Sequence, residues 1–260
     1  MFSRIIDWIK DQKRVLAIAL SAVMLLAVIL MVGSLVTGGG INVFARERII
    51  PIYRVNRDDK KIAISFDAAW GSEKTVGILD ILDKYQIKTT FFLVGFWVDR
   101  YPERTQLISQ RGHEIGNHST NHPNMPKLSA EQMENEIMTT HNKIKELTGQ
   151  EPKIFRPPYG DYDNQVMTVL HNLGYEGVQW DVDSLDWKEE GTDAMVKRVT
   201  GNVRSGSIVL FHNNSRDILE ALPLILDELL SQGYTIVPVS ELLLDEPYIV
   251  DSQGIQQPVK

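Results

Sequence analysis

His118 and His122 stand four residues apart in the stretch RGHEIGNHSTNH, which runs over 111–122. The four residues ahead of the pair, Glu114-Ile115-Gly116-Asn117, read as a short strand, and Pro123 stops a helix from carrying the pair onward. Both imidazoles are therefore expected at the mouth of a strand, facing one space. Two neutral imidazoles held that way are half of a metal site, and zinc or a similar borderline divalent ion is the usual guest. Two surface histidines beside a turn are the bland reading of the same spacing. The chain has no cysteine, so any metal must use His, Asp, Glu or water. Other polar residues stand just after apolar runs in the same way: Asp67, Arg156, Asp183 and Asp186, and His212. A charge at the end of an apolar strand is costly unless it is paired or bound. Several such positions together read better as one catalytic centre than as solvated loops.

The elements that must position these residues alternate regularly. Strands are expected over 62–66, 89–94, 114–117, 154–156, 175–182, 207–211 and 234–239. Between them, helices are expected over 73–85, 102–110, 129–147, 164–173, 192–203 and 217–230. Ser129 followed three residues later by Gln132 is a capping-box pattern for the third of these helices. Strand then helix, repeated about seven times, means parallel strands with helical crossovers, and so an α/β fold. A closed or nearly closed (β/α) barrel of seven or eight units fits best, and an open doubly wound sheet is the alternative. Either architecture puts its chemistry at the carboxyl ends of the strands.

The 260 residues suffice for one large domain with a full core. The net charge is −7, and no block of Lys and Arg resembles a nucleic-acid footprint, so that partner class is set aside. Residues 15–36 are almost wholly apolar and carry no charge, long enough for a transmembrane helix. Arg4, Lys10, Lys13 and Arg14 precede the run and favour a cytoplasmic segment over 1–14. A linker follows over 37–59, opened by Gly38-Gly39-Gly40, then the main domain over 60–244 and a tail over 245–260 with no motif. This arrangement is a single-pass protein of the cell membrane, working on the extracytoplasmic side. A signal peptide cut near Ala45 is the rival, and it would give a secreted protein.

Five blocks in order resemble one family, the polysaccharide deacetylases of carbohydrate esterase family 4, also called the NodB-homology domain. The blocks are Ser65-Phe66-Asp67, His118-Ser119-Thr120-Asn121-His122, Arg156-Pro157-Pro158-Tyr159-Gly160, Asp183-Ser184-Leu185-Asp186-Trp187 and Leu210-Phe211-His212. Each is weak alone, whereas all five in sequence are specific. The resemblance implies a distorted barrel and a metal-dependent hydrolase that removes N-acetyl groups from amino sugars of cell-wall glycan. In that scheme Asp67 is the catalytic base, kept ionised by Arg156, and His212 is the general acid, oriented by Asp186. His118 and His122 hold the metal, and the backbone N–H of Tyr159 helps stabilise the oxyanion. Trp187 and Leu210 take the acetyl methyl, although plain core packing accounts for both residue types equally well. Trp70 and Trp97 could stack on sugar rings, with core or rim packing the stronger reading of each. His113, His141 and His171 lie outside the blocks and read as structural or solvent-facing.

One departure matters. The family usually has two adjacent aspartates in the first block, the second completing a His-His-Asp metal site, and here that position is Ala68. A metal would then rest on two imidazoles, with weakened affinity, or the chain would be a glycan-binding or regulatory relative without catalysis. O-deacetylation of another polysaccharide is the third possibility. The anchor, the length and the wording from Asp67 to Gly71 resemble the sporulation-associated subgroup of Bacillus-type bacteria. The partners expected are N-acetylglucosamine and N-acetylmuramic acid glycan and the membrane, with no protein partner.

Overall fold

The computed structural model describes residues 13, 15, 16, 18–31 and 48–259, and it divides into two units, 1–47 and 48–260. In the first unit the described residues are helical and exposed. Among the described residues no helix is long and apolar enough to cross a membrane. The end of the expected span at 32–36, the expected cut near Ala45 and most of the expected cytoplasmic segment lie outside the described residues.

The second unit is built on β2 (Lys61–Ala68), and it begins ahead of that strand with β1 (Arg54–Val55). Side chains alternate along β2. Ile62, Ile64, Phe66 and Ala68 join the apolar layer under the helices, while Ser65 and Asp67 turn toward the buried Arg156. On one side β2 pairs in parallel with β3 (Thr90–Leu93), which pairs with β4 (Glu114–Asn117), then β5 (Ile154–Phe155) and β6 (Glu176–Gly177). On its other side it pairs with β8 (Ile208–His212), which pairs with β7 (Val182–Asp183). A short β9 (Thr235–Ile236) pairs with the start of β2. The helices α1 (Thr75–Lys84), α2 (Gly95–Arg100), α3 (Pro102–Gln110), α4 (Ala130–Thr148), α5 (Asn164–Asn172), α6 (Thr192–Asn202) and α7 (Ile218–Ser231) supply the crossovers, and α8 (Val239–Leu242) follows β9. The capping box opens α4 as expected, with Ser129 and Gln132 each accepting from the other's backbone N–H.

Four expectations need correction. The ring does not close by strand pairing, because the sheet runs β6-β5-β4-β3-β2-β8-β7 with no ladder between its ends. The expected strand over 175–182 breaks into β6 and β7, which lie at opposite edges of the sheet. The gap is crossed by the stretch expected as linker. Ile52 bridges to Val178, and Arg54 bridges to Ser207. Ile52 and Val55 are buried, so this stretch is core. The tail expected to be featureless forms β10 (Tyr248–Val250) and β11 (Ile255–Pro258), and the order β1-β11-β10 makes a second small sheet. The compact unit thus takes in both the segment from Arg48 and the tail. Gly206 permits the crossing: its φ is +82°, and a Cβ there would lie 1.8 Å from the carbonyl oxygen of Val55.

Candidate active site

The carboxyl ends of β2, β4, β5, β7 and β8 meet at one cavity of about 510 Å³. It is lined by Asp67, Trp70, His118, His122, Tyr159, Asp183, Trp187, Leu210 and His212 among others. Asp67 and His212 are register partners on adjacent strands, so the sheet itself fixes their separation. All nine site residues expected from the sequence fall in or directly behind this cavity.

Arg156 is the buried pivot, with no exposed surface. Its Nη1 donates to Oδ1 of Asp67 at 2.6 Å, and its Nη2 donates to Ser65 Oγ at 2.9 Å and to the Gln179 carbonyl at 3.2 Å. The guanidinium lies over the Phe92 ring at 4.0 Å. Phe92 finds room because residue 116 is glycine, where a Cβ would come within 2.4 Å of that ring. Burial by itself would raise the Asp67 pKa, but the Arg156 guanidinium together with the charges of His118 and His212 outweighs it and brings the carboxyl below its usual value. Asp67 is therefore ionised at neutral pH.

His212 forms the facing half. Its Nδ1–H donates to Oδ1 of Asp186 at 2.7 Å, and its backbone N–H donates to Oδ2 of the same carboxylate at 2.7 Å. Nε2 is left for the cavity. Burial pulls the imidazole pKa down, the carboxylate hydrogen bond and charge pull it up, and the net direction is up. One side of the cavity thus holds a carboxylate with a lowered pKa and the other an imidazole with a raised one.

The histidine loop is held from behind. His118 Nδ1 lies 2.6 Å from the carbonyl oxygen of Arg156, so Nδ1 carries the proton and Nε2 presents its lone pair. That Nε2 faces Oδ2 of Asp67 at 3.5 Å. Two acceptors facing across such a gap leave place for a cation or a proton. Burial lowers the pKa of both imidazoles, that of His122 to about 4, with His118 the next cause for His122. The His122 Nδ1 is buried without a hydrogen-bond partner. The donor chemistry fits a divalent ion on two imidazoles. It is one carboxylate short of a three-residue set, and among the described residues no group of three or more His, Asp or Glu is placed to hold an ion. Ala68 lies on the apolar, helix-covered side of β2.

Backbone strain concentrates here. Ser119, His122, Tyr159, Leu185 and Glu189 all have positive φ, and none is glycine. Their neighbours over-determine them. Glu136 of α4 accepts from the backbone N–H groups of Thr120 at 2.9 Å and Asn121 at 2.8 Å. Thr140, one turn on, donates to the Ser119 carbonyl at 3.0 Å. Glu136, Ser65, Gln179 and Phe92 are supports that sequence reading did not find. A signal did exist for Glu136: it shares a helix stripe with Thr140, polar positions beside the buried Met133, Ile137 and Ile144.

The remaining expectations sort cleanly. Leu210 is buried in the cavity wall, whereas Trp187 is 59% exposed and forms its rim rather than core. Tyr159 packs its ring edge-on against His122 at 4.5 Å between centroids. Trp97 is fully buried and donates to the Gly71 carbonyl, so it does not meet a sugar. His113 is buried, His141 contacts the Tyr175 hydroxyl at 2.7 Å, and His171 is exposed.

The comparisons with known proteins agree with this geometry. The family model described as polysaccharide deacetylase matches residues 54–178. The chain is 39% identical over 196 residues to a peptidoglycan-N-acetylglucosamine deacetylase of Bacillus cereus, covering 74% of this chain and 92% of that protein. It is 34% identical over 193 residues to the uncharacterized protein YlxY of Bacillus subtilis, covering 74% of this chain but only 60% of that one. Among solved structures, BA3943 of Bacillus anthracis, a CE4 family pseudoenzyme, aligns with a TM-score of 0.72 at 33% identity, over 80% of this chain and 70% of that one. A mutant of BA3943 with restored enzymatic activity aligns with the same score.

Proposed function

Because this chain belongs to the polysaccharide deacetylase family, we propose that it is a hydrolase removing N-acetyl groups from the amino sugars of cell-wall peptidoglycan. One observation carries the reading. A carboxylate paired with a buried guanidinium and an imidazole paired with a buried carboxylate, the first with its pKa lowered and the second with its pKa raised, face one cavity from paired positions on adjacent strands.

The chemistry follows from these atoms. Asp67 takes a proton from a water molecule, whose oxygen then adds to the acetyl carbon. The carbonyl oxygen gains negative charge, and the backbone N–H of Tyr159 would donate to it. His212 gives the proton on Nε2 to the nitrogen as the carbon–nitrogen bond breaks, so acetate and a free amine leave. The proton held by Asp67 returns to His212 through solvent. Trp187 and Leu210 would receive the acetyl methyl. His118 and His122 would hold a divalent ion, zinc first among candidates, which when bound polarises the acetyl oxygen and acidifies water.

A second reading, a glycan-binding relative without turnover, is favoured by Ala68 and by the likeness to a pseudoenzyme. Acetate release separates the two. Incubation of the full chain plus zinc with N-acetylglucosamine oligomers and with peptidoglycan should yield acetate and new amines. Oligomer binding with no release would select the second reading, and release from acetylated xylan alone would select O-deacetylation.

The apolar, uncharged run over 15–36 with basic residues ahead of it supports single-pass anchoring with the second unit on the extracytoplasmic side. A role in spore formation is proposed on the wording of the first block together with that anchor. Deletion should leave spores whose wall glycan keeps its acetyl groups, and unaltered spore glycan would remove that role.

A further inference from the structure

We propose that Trp70 is a sugar-binding platform at the histidine end of the cavity, stacking on the ring next to the one that presents its acetamido group. The assignment rests on the glycan reading above and adds a determinant of chain length to it. Trp70 lies two residues past the end of β2 and is 57% exposed, although its ring is a large, mostly apolar surface. The exposure is not that of a loose loop. The ring is held against His122 at 5.2 Å and against Phe96 at 6.2 Å between centroids. The next residue is pinned as well, its carbonyl accepting from Trp97 Nε1 at 2.6 Å and from Asn213 Nδ2 at 2.9 Å.

Position decides what such a surface is for. Trp70 lines the same cavity as Asp67 and His212, and it touches the histidine rather than the acid side. Trp187 and Tyr159 line that cavity too, 59% and 65% exposed. A rigid, solvent-facing ring beside such a cleft matches the apolar C–H face of a pyranose. In the mechanism proposed above the acetyl group lies against Trp187 and Leu210, and Leu210 is buried in the cavity wall, so Trp70 is left for another part of the glycan. The occupant is therefore a neighbouring sugar of an oligomeric chain.

Calorimetry of N-acetylglucosamine and its pentamer tests this, on full-length protein carrying Asp67→Asn so that turnover does not intervene. Trp70→Ala should weaken pentamer binding by about tenfold, the scale of one aromatic contact, and monosaccharide binding by less. Trp70→Phe should stay within about threefold of the parent, since a ring face remains. Trp70→Leu keeps bulk against Phe96 but has no ring, and should lose as much as Trp70→Ala; it decides the matter if the alanine variant fails to fold. Pentamer affinity unchanged in the non-aromatic variants would overturn the platform and leave the glycan reading standing. A parent protein that binds no oligomer at all would overturn both.

Discussion

In the proposed mechanism His212 donates a proton, and the Asp186 carboxylate raises its pKa against the pull of burial. Burial alone would leave the ring neutral, and the ion pair reverses that direction. A group that must be protonated to act loses function as pH rises through its raised value. Activity should therefore persist above the ordinary imidazole value of about 6.5 before it declines. Asp186→Asn keeps an oxygen for the backbone N–H of His212 and removes the charge, so the declining limb should move to lower pH. A pH–rate profile on N-acetylglucosamine oligomers reads this, and a limb that stays in place would remove Asp186 from the role. Zinc should bind at one ion per chain, with binding lost in His118→Ala, as judged by calorimetry with bound-metal analysis. Absence of binding in the unaltered protein would contradict the two-imidazole site. At this scale the sequence was legible where a polar type interrupts an apolar run, as at Asp67, Arg156 and His212. It gave Ser65 no role beyond its place in the first block and was silent on Gln179, and the partner of both, Arg156, comes from a distant segment.

Among the elements, the stretch from Ile52 to Val55 runs between the β6 edge of the sheet and the start of β8. Its bonds to Gly177, Gln179 and Gly206 replace the ladder that a closed barrel would have. Gly206→Ala should lower stability by at least ~2 kcal/mol, since a side chain there meets both an unfavourable φ and the Val55 carbonyl. For a unit of this size the melting temperature should fall by roughly 5 °C or more. An unchanged melting curve would show that the strap does not tie the sheet. The long elements were legible because period and caps agreed, as in α4. The barrel gap was not, because Tyr175, Val178, Trp180 and Val182 read as one strand although Gly177 interrupts them, and β6 ends at that glycine. The tail was missed for a related reason. Gln256, which looks like a surface residue, is buried and bonds both backbone groups of Leu244.

At the scale of the whole molecule, the proposed anchor and the catalytic unit make separate demands. Full-length protein in a Bacillus-type cell should fractionate with the membrane and yield to protease added outside. Recovery in the soluble cytoplasmic fraction would contradict the anchored arrangement. The central claim lies in the other unit: Asp67 and His212 act as base and acid on one acetyl group. Acetate release from N-acetylglucosamine oligomers, compared across the unaltered chain, Asp67→Asn and His212→Ala, tests it most directly. The account predicts turnover in the first and a loss of about 10²-fold or more in each variant, the usual scale for a general base or acid. Equal rates in all three would contradict it.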